Sequence, residues 1–145
     1  MATPDSTRAR LDEAMAARDP LAFELALTSA FEVGLSGDLA PLLARALLMP
    51  WHARHEDVAR ALQELRDPVA VDALFEAALA KHDYLEYDNC LGLARKCIWA
   101  LADIGTVDAK RRLERLAASE NKAISGYAQR RLDAWEHERE RKGAR

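Results

Sequence analysis

VARALQEL at 58–65, CIWALADI at 97–104 and AQRRLDAW at 128–135 superpose on one another. Their large apolar residues coincide: Leu62, Leu101 and Leu132, then Leu65, Ile104 and Trp135. The offsets are 39 residues (101 minus 62) and 31 residues (132 minus 101). Apolar residues three apart share one face of a helix, so each stretch predicts an amphipathic helix. The segments upstream repeat as well. DLAPLLARAL at 38–47 aligns with AVDALFEAAL at 70–79, Leu42 falling on Leu74 at an offset of 32, and VDAKRRLERLA at 107–117 places Leu113 on Leu74 at 39. Two helix types therefore alternate along the chain.

Punctuation divides the chain in the same places. Asp19-Pro20 and Asp67-Pro68 supply a capping carboxylate followed by proline at the first helical position. Gly37-Asp38 and Gly105-Thr106 put a glycine able to close one helix in a left-handed conformation before a residue able to cap the next. These signals predict helices near 6–17, 20–34, 38–48, 54–66, 68–81, 88–104, 106–118 and 121–140. The expected fold is all-α, a short right-handed α-solenoid of about four stacked helical hairpins, each burying its apolar stripe on its neighbours. The whole chain, 1–145, reads as one domain with 141–145 a frayed tail, and EHERERKGAR as a charge-laced helix end.

Half the residues are hydrophobic and 31% charged, with few aromatics, a composition suited to a helical globular protein. No apolar run reaches the ~20 residues that cross a bilayer, and MATPDSTRAR has no apolar stretch behind its charges. A cytoplasmic location is expected. Cys90 and Cys97 lie about 10 Å apart along one helix at ~1.5 Å per residue, beyond disulfide reach, and read as free, buried thiols. Residues 1–105 carry ten Lys or Arg against seventeen Asp or Glu, and residues 106–145 eleven against seven. Lys110, Arg111, Arg112, Arg115, Arg130 and Arg131 could form a phosphate-facing patch, but interspersed carboxylates and a net charge of −3 argue against nucleic acid.

The unit IGTVDAKRRLERLAASENKAISGYAQRRLDAW resembles a short HEAT repeat of the phycobilin-lyase type, covering 37–135 well and 5–36 loosely. The resemblance implies a binding scaffold rather than an enzyme, with the second helix of each pair on the concave side. The equivalents of Trp99 are then Arg60 and Arg130, which predicts a row of Arg60, Trp99 and Arg130 across that side, ringed by Glu56, Glu64, Arg95, Asp103 and Asp133. A tryptophan among charges has the composition of an interface hot spot. Alternatively, the two arginines sandwich the indole as cation–π packing.

The 39-residue spacing carries about eight extra residues at KHDYLEYDNC, 81–90, an enlarged loop on a regular array. Tyr84 and Tyr87 among Asp83, Glu86 and Asp88 suit a basic protein partner. In the other reading Tyr84, Leu85 and Tyr87 fold back to cap the adjacent helices.

His52 and His55 in WHARHED do not form a zinc signature and have no evident third ligand. RHEDVARAL also resembles the iron-binding motif of deoxyhypusine hydroxylases, which are HEAT-repeat enzymes. Here, however, His55 precedes Ala61 by six residues rather than five, turning the pair by about 100°. The two histidines therefore read as a helix-start cap and polar surface, with Trp51 anchoring the turn. No phosphate loop or nucleophile elbow is present, and no catalytic residue, metal or cofactor is expected. The expected function is a non-catalytic protein-interaction module, monomer or weak dimer, of the compact acidic kind that resembles bacterial immunity proteins. The alternative is a HEAT-like protein that binds or modifies DNA through its basic C-terminal third, as one group of alkyl-base DNA glycosylases does.

Overall fold

The computed structural model describes residues 2–143, which form helices with no strand among them. In chain order these are α1 (Pro4–Ala17), α2 (Pro20–Val33), α3 (Ala40–Leu47), α4 (His55–Leu65), α5 (Val71–Leu79), α6 (Leu91–Ile104), α7 (Val107–Ala117), α8 (Lys122–Asp133) and α9 (Trp135–Gly143). Short 3-10 turns lie at Gly37–Leu39, Pro68–Ala70 and Asp83–Asp88. Successive helices pack as hairpins, α1 on α2, α3 on α4, α5 on α6 and α7 on α8. The hairpins then lie side by side, α3 touching α5 and α5 touching α7 in one layer, α4 touching α6 and α6 touching α8 in the other. Among the described residues no helix is long and apolar enough to cross a membrane.

The caps explain where helices begin and end. The Asp19 carboxylate accepts from Ala22 N–H ahead of Pro20, the Asp67 carboxylate from Val69 N–H ahead of Pro68, and the Thr106 hydroxyl from Ala109 N–H. Each satisfies a donor that the first helical turn leaves unpaired. Gly105 closes α6 in the left-handed conformation, φ +71°. Gly37 does not play that part for α2. Gly34, at φ +105°, ends that helix, while Gly37 opens a 3-10 turn. The expected helix from 88 starts later, at Leu91, because Asn89 and Cys90 both adopt positive φ.

The core follows most of the superposed positions, with Leu65, Ile104 and Leu132 half-buried against it. Leu62, Leu74, Leu101 and Leu113 are inaccessible to solvent, with Leu42 and Trp135 buried beside them. Helix α6 packs against α4, α5, α7 and α8, so its Leu93, Cys97, Ile98 and Leu101 are all buried. Cys90 and Cys97 are free thiols, both buried. The C-terminal segment departs from expectation. The helix expected over 121–140 breaks at Ala134, and residues 135–143 form α9 instead of a fray. Trp135 and Glu138 are buried there, because Arg139 lies over the Trp135 ring and Arg131 pairs with Glu138. Of the tail 141–145, residues 144 and 145 lie outside the described residues.

Candidate functional site

Trp99 stands on the exposed side of α6 with 38% of its surface accessible. Its neighbours Cys97, Ile98 and Ala100 turn into the core. One face of the indole is covered by Arg131 from α8, whose guanidinium carbon is 3.6 Å from the ring centroid. Arg131 is held there by Glu138 of α9, Nη1 to Oε1 at 2.6 Å, an ion pair largely withdrawn from water. The cation on the indole is therefore neither Arg60 nor Arg130. Arg60 lies over Phe31 of α2 at 4.2 Å and near Asp57 at 3.7 Å, and Arg130 is exposed.

Of the residues expected around Trp99, Glu56 and Asp103 are tied across the layer, while Glu64 and Asp133 are exposed. Lys96 donates to Glu56 at 2.8 Å, Gln63 donates to Asp103 at 2.8 Å, and Arg95 stays exposed. Both ties join α4 to α6 across 40 residues. Arg112 and Asp72 join α7 to α5 at the same separation. Trp99 and Arg131 are 32 apart, while Arg8–Asp38 and Glu24–Arg54 span 30.

The 81–90 segment meets this face through Glu56. Its 3-10 turn buries Leu85 and leaves Tyr87 77% exposed, with the Tyr87 hydroxyl beside Glu56. The charges of Glu56 and then Asp88 raise the Tyr87 pKa, marking a negative local field. Asp88 also accepts from Gly92 N–H at 3.0 Å, and a methyl group at Gly92 would meet that carboxylate at 2.7 Å. Glu86 is exposed beside Tyr87. Tyr84 divides its roles. Its ring is 41% exposed and lines, with Arg54, Glu56 and Lys96, a cavity of about 290 Å³, while its hydroxyl points inward to His55.

His52 and His55 are not polar surface. They are 3% and 0% exposed and stack on each other at 4.1 Å between centroids, with Phe23 against His52 at 4.6 Å and His82 against His55 at 3.9 Å. Trp51 meets Phe23 edge-on at 5.5 Å. The partners assign the protons. Arg54 N–H donates to His52 Nδ1 at 3.0 Å, so His52 Nε2–H donates to the Ala46 carbonyl at 2.7 Å. His55 Nε2–H donates to the Met49 carbonyl at 2.6 Å, its Nδ1 accepts from the Tyr84 hydroxyl at 2.7 Å, and that oxygen accepts from His55 N–H at 3.1 Å. Both rings are neutral in this arrangement. Burial lowers the pKa of His52 and His82 and pushes His55 down to about 4. With both ring nitrogens of His52 and His55 bonded to protein, neither is open to act as a base toward a bound molecule. Among the described residues no group of three or more His, Cys, Asp or Glu side chains is placed to hold a metal ion. Local reading of His52 and His55 missed this column because its other members come from Phe23 and from the loop.

The basic C-terminal third spends its charge on neighbours. Arg112 pairs with Asp72 at 2.5 Å, Arg112 and Arg115 lie over Phe75 at 5.3 and 4.6 Å, Lys110 over Trp135 at 5.6 Å, and Arg111 pairs with Asp108 at 3.7 Å. No family model, curated protein or solved structure matches the chain.

Proposed function

We propose that the chain is a HEAT-like helical-repeat module, without catalysis of its own, that docks a basic protein segment on the face formed by Tyr84, Glu86, Tyr87 and Asp88 with Glu56, Arg95 and Trp99. The spacing of the lateral ties supports the repeat reading. In a stacked array equivalent residues of neighbouring units lie side by side. The separations of 40 and 32 between tied residues in adjacent hairpins follow the sequence offsets of 39 and 31 to within one residue.

The observation that carries the docking reading is Tyr87, a large ring 77% exposed in a negative field set by Glu56 and Asp88. An exposed tyrosine among carboxylates offers burial area at low entropic cost and a field that draws in lysine and arginine. Glu56, which reaches both the Tyr87 hydroxyl and Lys96 one turn before Trp99, makes the loop and the α6 surface a continuous patch. Engagement of Arg111, Arg112, Arg115 and Arg131 with the protein's own acids and rings weighs against a phosphate-binding face. The narrower form, an antidote covering a toxin's active site, rests on the small size and net charge of −3.

Affinity capture from native lysate with the wild-type chain and with Tyr87→Ala and Trp99→Ala tests the reading. A basic protein is expected to be retained by the wild type and depleted about tenfold or more by either variant, the loss of a hot-spot residue of about 1.4 kcal/mol or more. Circular dichroism of both variants should match the wild type. Identical capture by all three chains, or salt-sensitive retention of duplex DNA in place of a protein, would refute it.

A further inference from the structure

Three of the chain's four histidines sit in one column, His52, His55 and His82, at the junction between the start of α4 and the 81–90 segment. This column fastens the start of the loop, while the Asp88 carboxylate on Gly92 N–H and the Cys90 thiol at His82 N–H hold its far end. Tyr84, the second residue of the 3-10 turn, is bonded twice to His55, and His82 stacks on the same ring. His52 and His55 in turn hold the carbonyls of Ala46 and Met49.

Two bonds need uncharged rings, that of the Tyr84 hydroxyl to His55 Nδ1 and that of Arg54 N–H to His52 Nδ1, whereas the Nε2–H bonds to the Ala46 and Met49 carbonyls persist on a charged ring. A proton on His52 Nδ1 would face the Arg54 N–H, a donor 3.0 Å away, with no acceptor between them. A proton on His55 Nδ1 would meet the hydroxyl that now donates to it. Charge on two rings stacked 3.9 or 4.1 Å apart adds repulsion in a site shielded from water. The surrounding charges do not relieve this. From α2, Glu24 pairs with Arg54; from α4, Glu56 pairs with Lys96 and Asp57 lies near Arg54 and Arg60; the loop brings Lys81, Asp83 and Tyr84. Among the described residues no carboxylate accepts a hydrogen bond from these rings. His82 Nε2 is buried with no partner at all.

We propose that the histidine column is an acid-operated release for the Asp83–Asp88 turn, its protonation unfastening Tyr84 from the start of α4 while the helical layers stay folded. Burial holds the folded pKa values of all three rings below the ordinary 6.5, His55 at about 4. The fastened form is thus fully favoured above pH 6.5 and is lost as pH falls toward 4, since the open form takes up protons that the closed one refuses. The consequence for docking rests on the function proposed above, because Tyr84 and Tyr87 ride on the released turn. The release itself is measured with no partner present, so the two readings fail separately.

The test is hydrogen–deuterium exchange of the full chain from pH 7 to pH 4, corrected for intrinsic exchange. Circular dichroism and NMR titration of the histidine rings accompany it. Each proton taken up on opening raises the open population about tenfold per pH unit. Amides of 81–90 should therefore exchange at least tenfold faster for each unit below the transition, while α6 amides and ellipticity hold. The three column rings should titrate below the ordinary 6.5, in step with the loop. Loop protection that persists to pH 4, loop and α6 losing protection together, or column rings titrating at the ordinary 6.5 while the loop stays closed would each overturn the proposal.

Discussion

Replacing Tyr84 by phenylalanine removes one oxygen atom and tests how the loop is fastened. That oxygen donates to His55 Nδ1 at 2.7 Å and accepts from His55 N–H at 3.1 Å, and His55 has no solvent exposure. Phenylalanine leaves both groups without their partner. A buried polar group deprived of its hydrogen bond costs about 1–3 kcal/mol, and water reaching the exposed edge of the ring offsets part of the pair, leaving about 2–3 kcal/mol. At about 3–4 °C per kcal/mol for a domain of this size, melting should fall by roughly 6–12 °C. Tyr87→Phe removes the same atom from a ring that is 77% exposed, and should change stability by less than about 0.5 kcal/mol. Calorimetry of the two variants at pH 7.5 makes the comparison. If Tyr84→Phe melts with the wild type, the hydroxyl is not the partner of His55 and the reasoning about the column fails at its first step.

Gly105→Ala should destabilise by about 1–2 kcal/mol from its left-handed backbone alone. A methyl group there would also lie 1.8 Å from Arg139 Nη1, so the guanidinium must leave the Ala102 carbonyl it donates to, and limited proteolysis should cut residues 135–143 faster in the variant than in the wild type. Glu138→Ala strands the Arg131 guanidinium, whose side chain is only 16% exposed, and should cost about 3 kcal/mol as the breaking of a buried pair. The loosened guanidinium no longer covers Trp99, so iodide quenching of tryptophan fluorescence should rise; unchanged quenching would place Arg131 elsewhere.

Helix positions and the apolar core were legible because they depend on local patterns. Leu62, Leu74, Leu101 and Leu113 were marked by their periodicity, and Asp19, Asp67 and Thr106 by cap chemistry that acts within one turn. The turn at 89–90 was only half legible, since asparagine readily takes positive φ, as Asn89 does, but nothing in the sequence signals it for Cys90. The helix was expected to run to 140, but its break at Ala134 and the docking of α9 were hidden by composition. WEHERERKG is polar apart from Trp135, and its order comes from tertiary partners, Arg139 donating to the Ala102 carbonyl at 2.7 Å and Glu138 accepting from Arg131. The fate of Trp99 was half legible: periodicity placed it outside the core, but which arginine covers it depends on a one-residue difference between Arg130 and Arg131.

The partners of the histidine column lie 29 residues away, short of the leucine offsets of 31, 32 and 39, so the leucine register does not locate them. Adding 29 to Phe23 gives His52, and adding 29 to His55 gives Tyr84; both pairs are in contact. Adding 30 to Glu24 gives Arg54, also in contact. A histidine judged by its nearest neighbours in sequence reads as surface, because an isolated imidazole is cheaper in water than in a core. In the fold His52 lies between the Phe23 ring and His55, and His55 receives the Tyr84 hydroxyl between two imidazoles, surroundings that a buried neutral imidazole requires. The inserted residues at 81–90 therefore lengthen one unit and also supply the hydroxyl that satisfies His55, so shortening the loop to the regular spacing would remove the docking rings and unsatisfy the core in a single step.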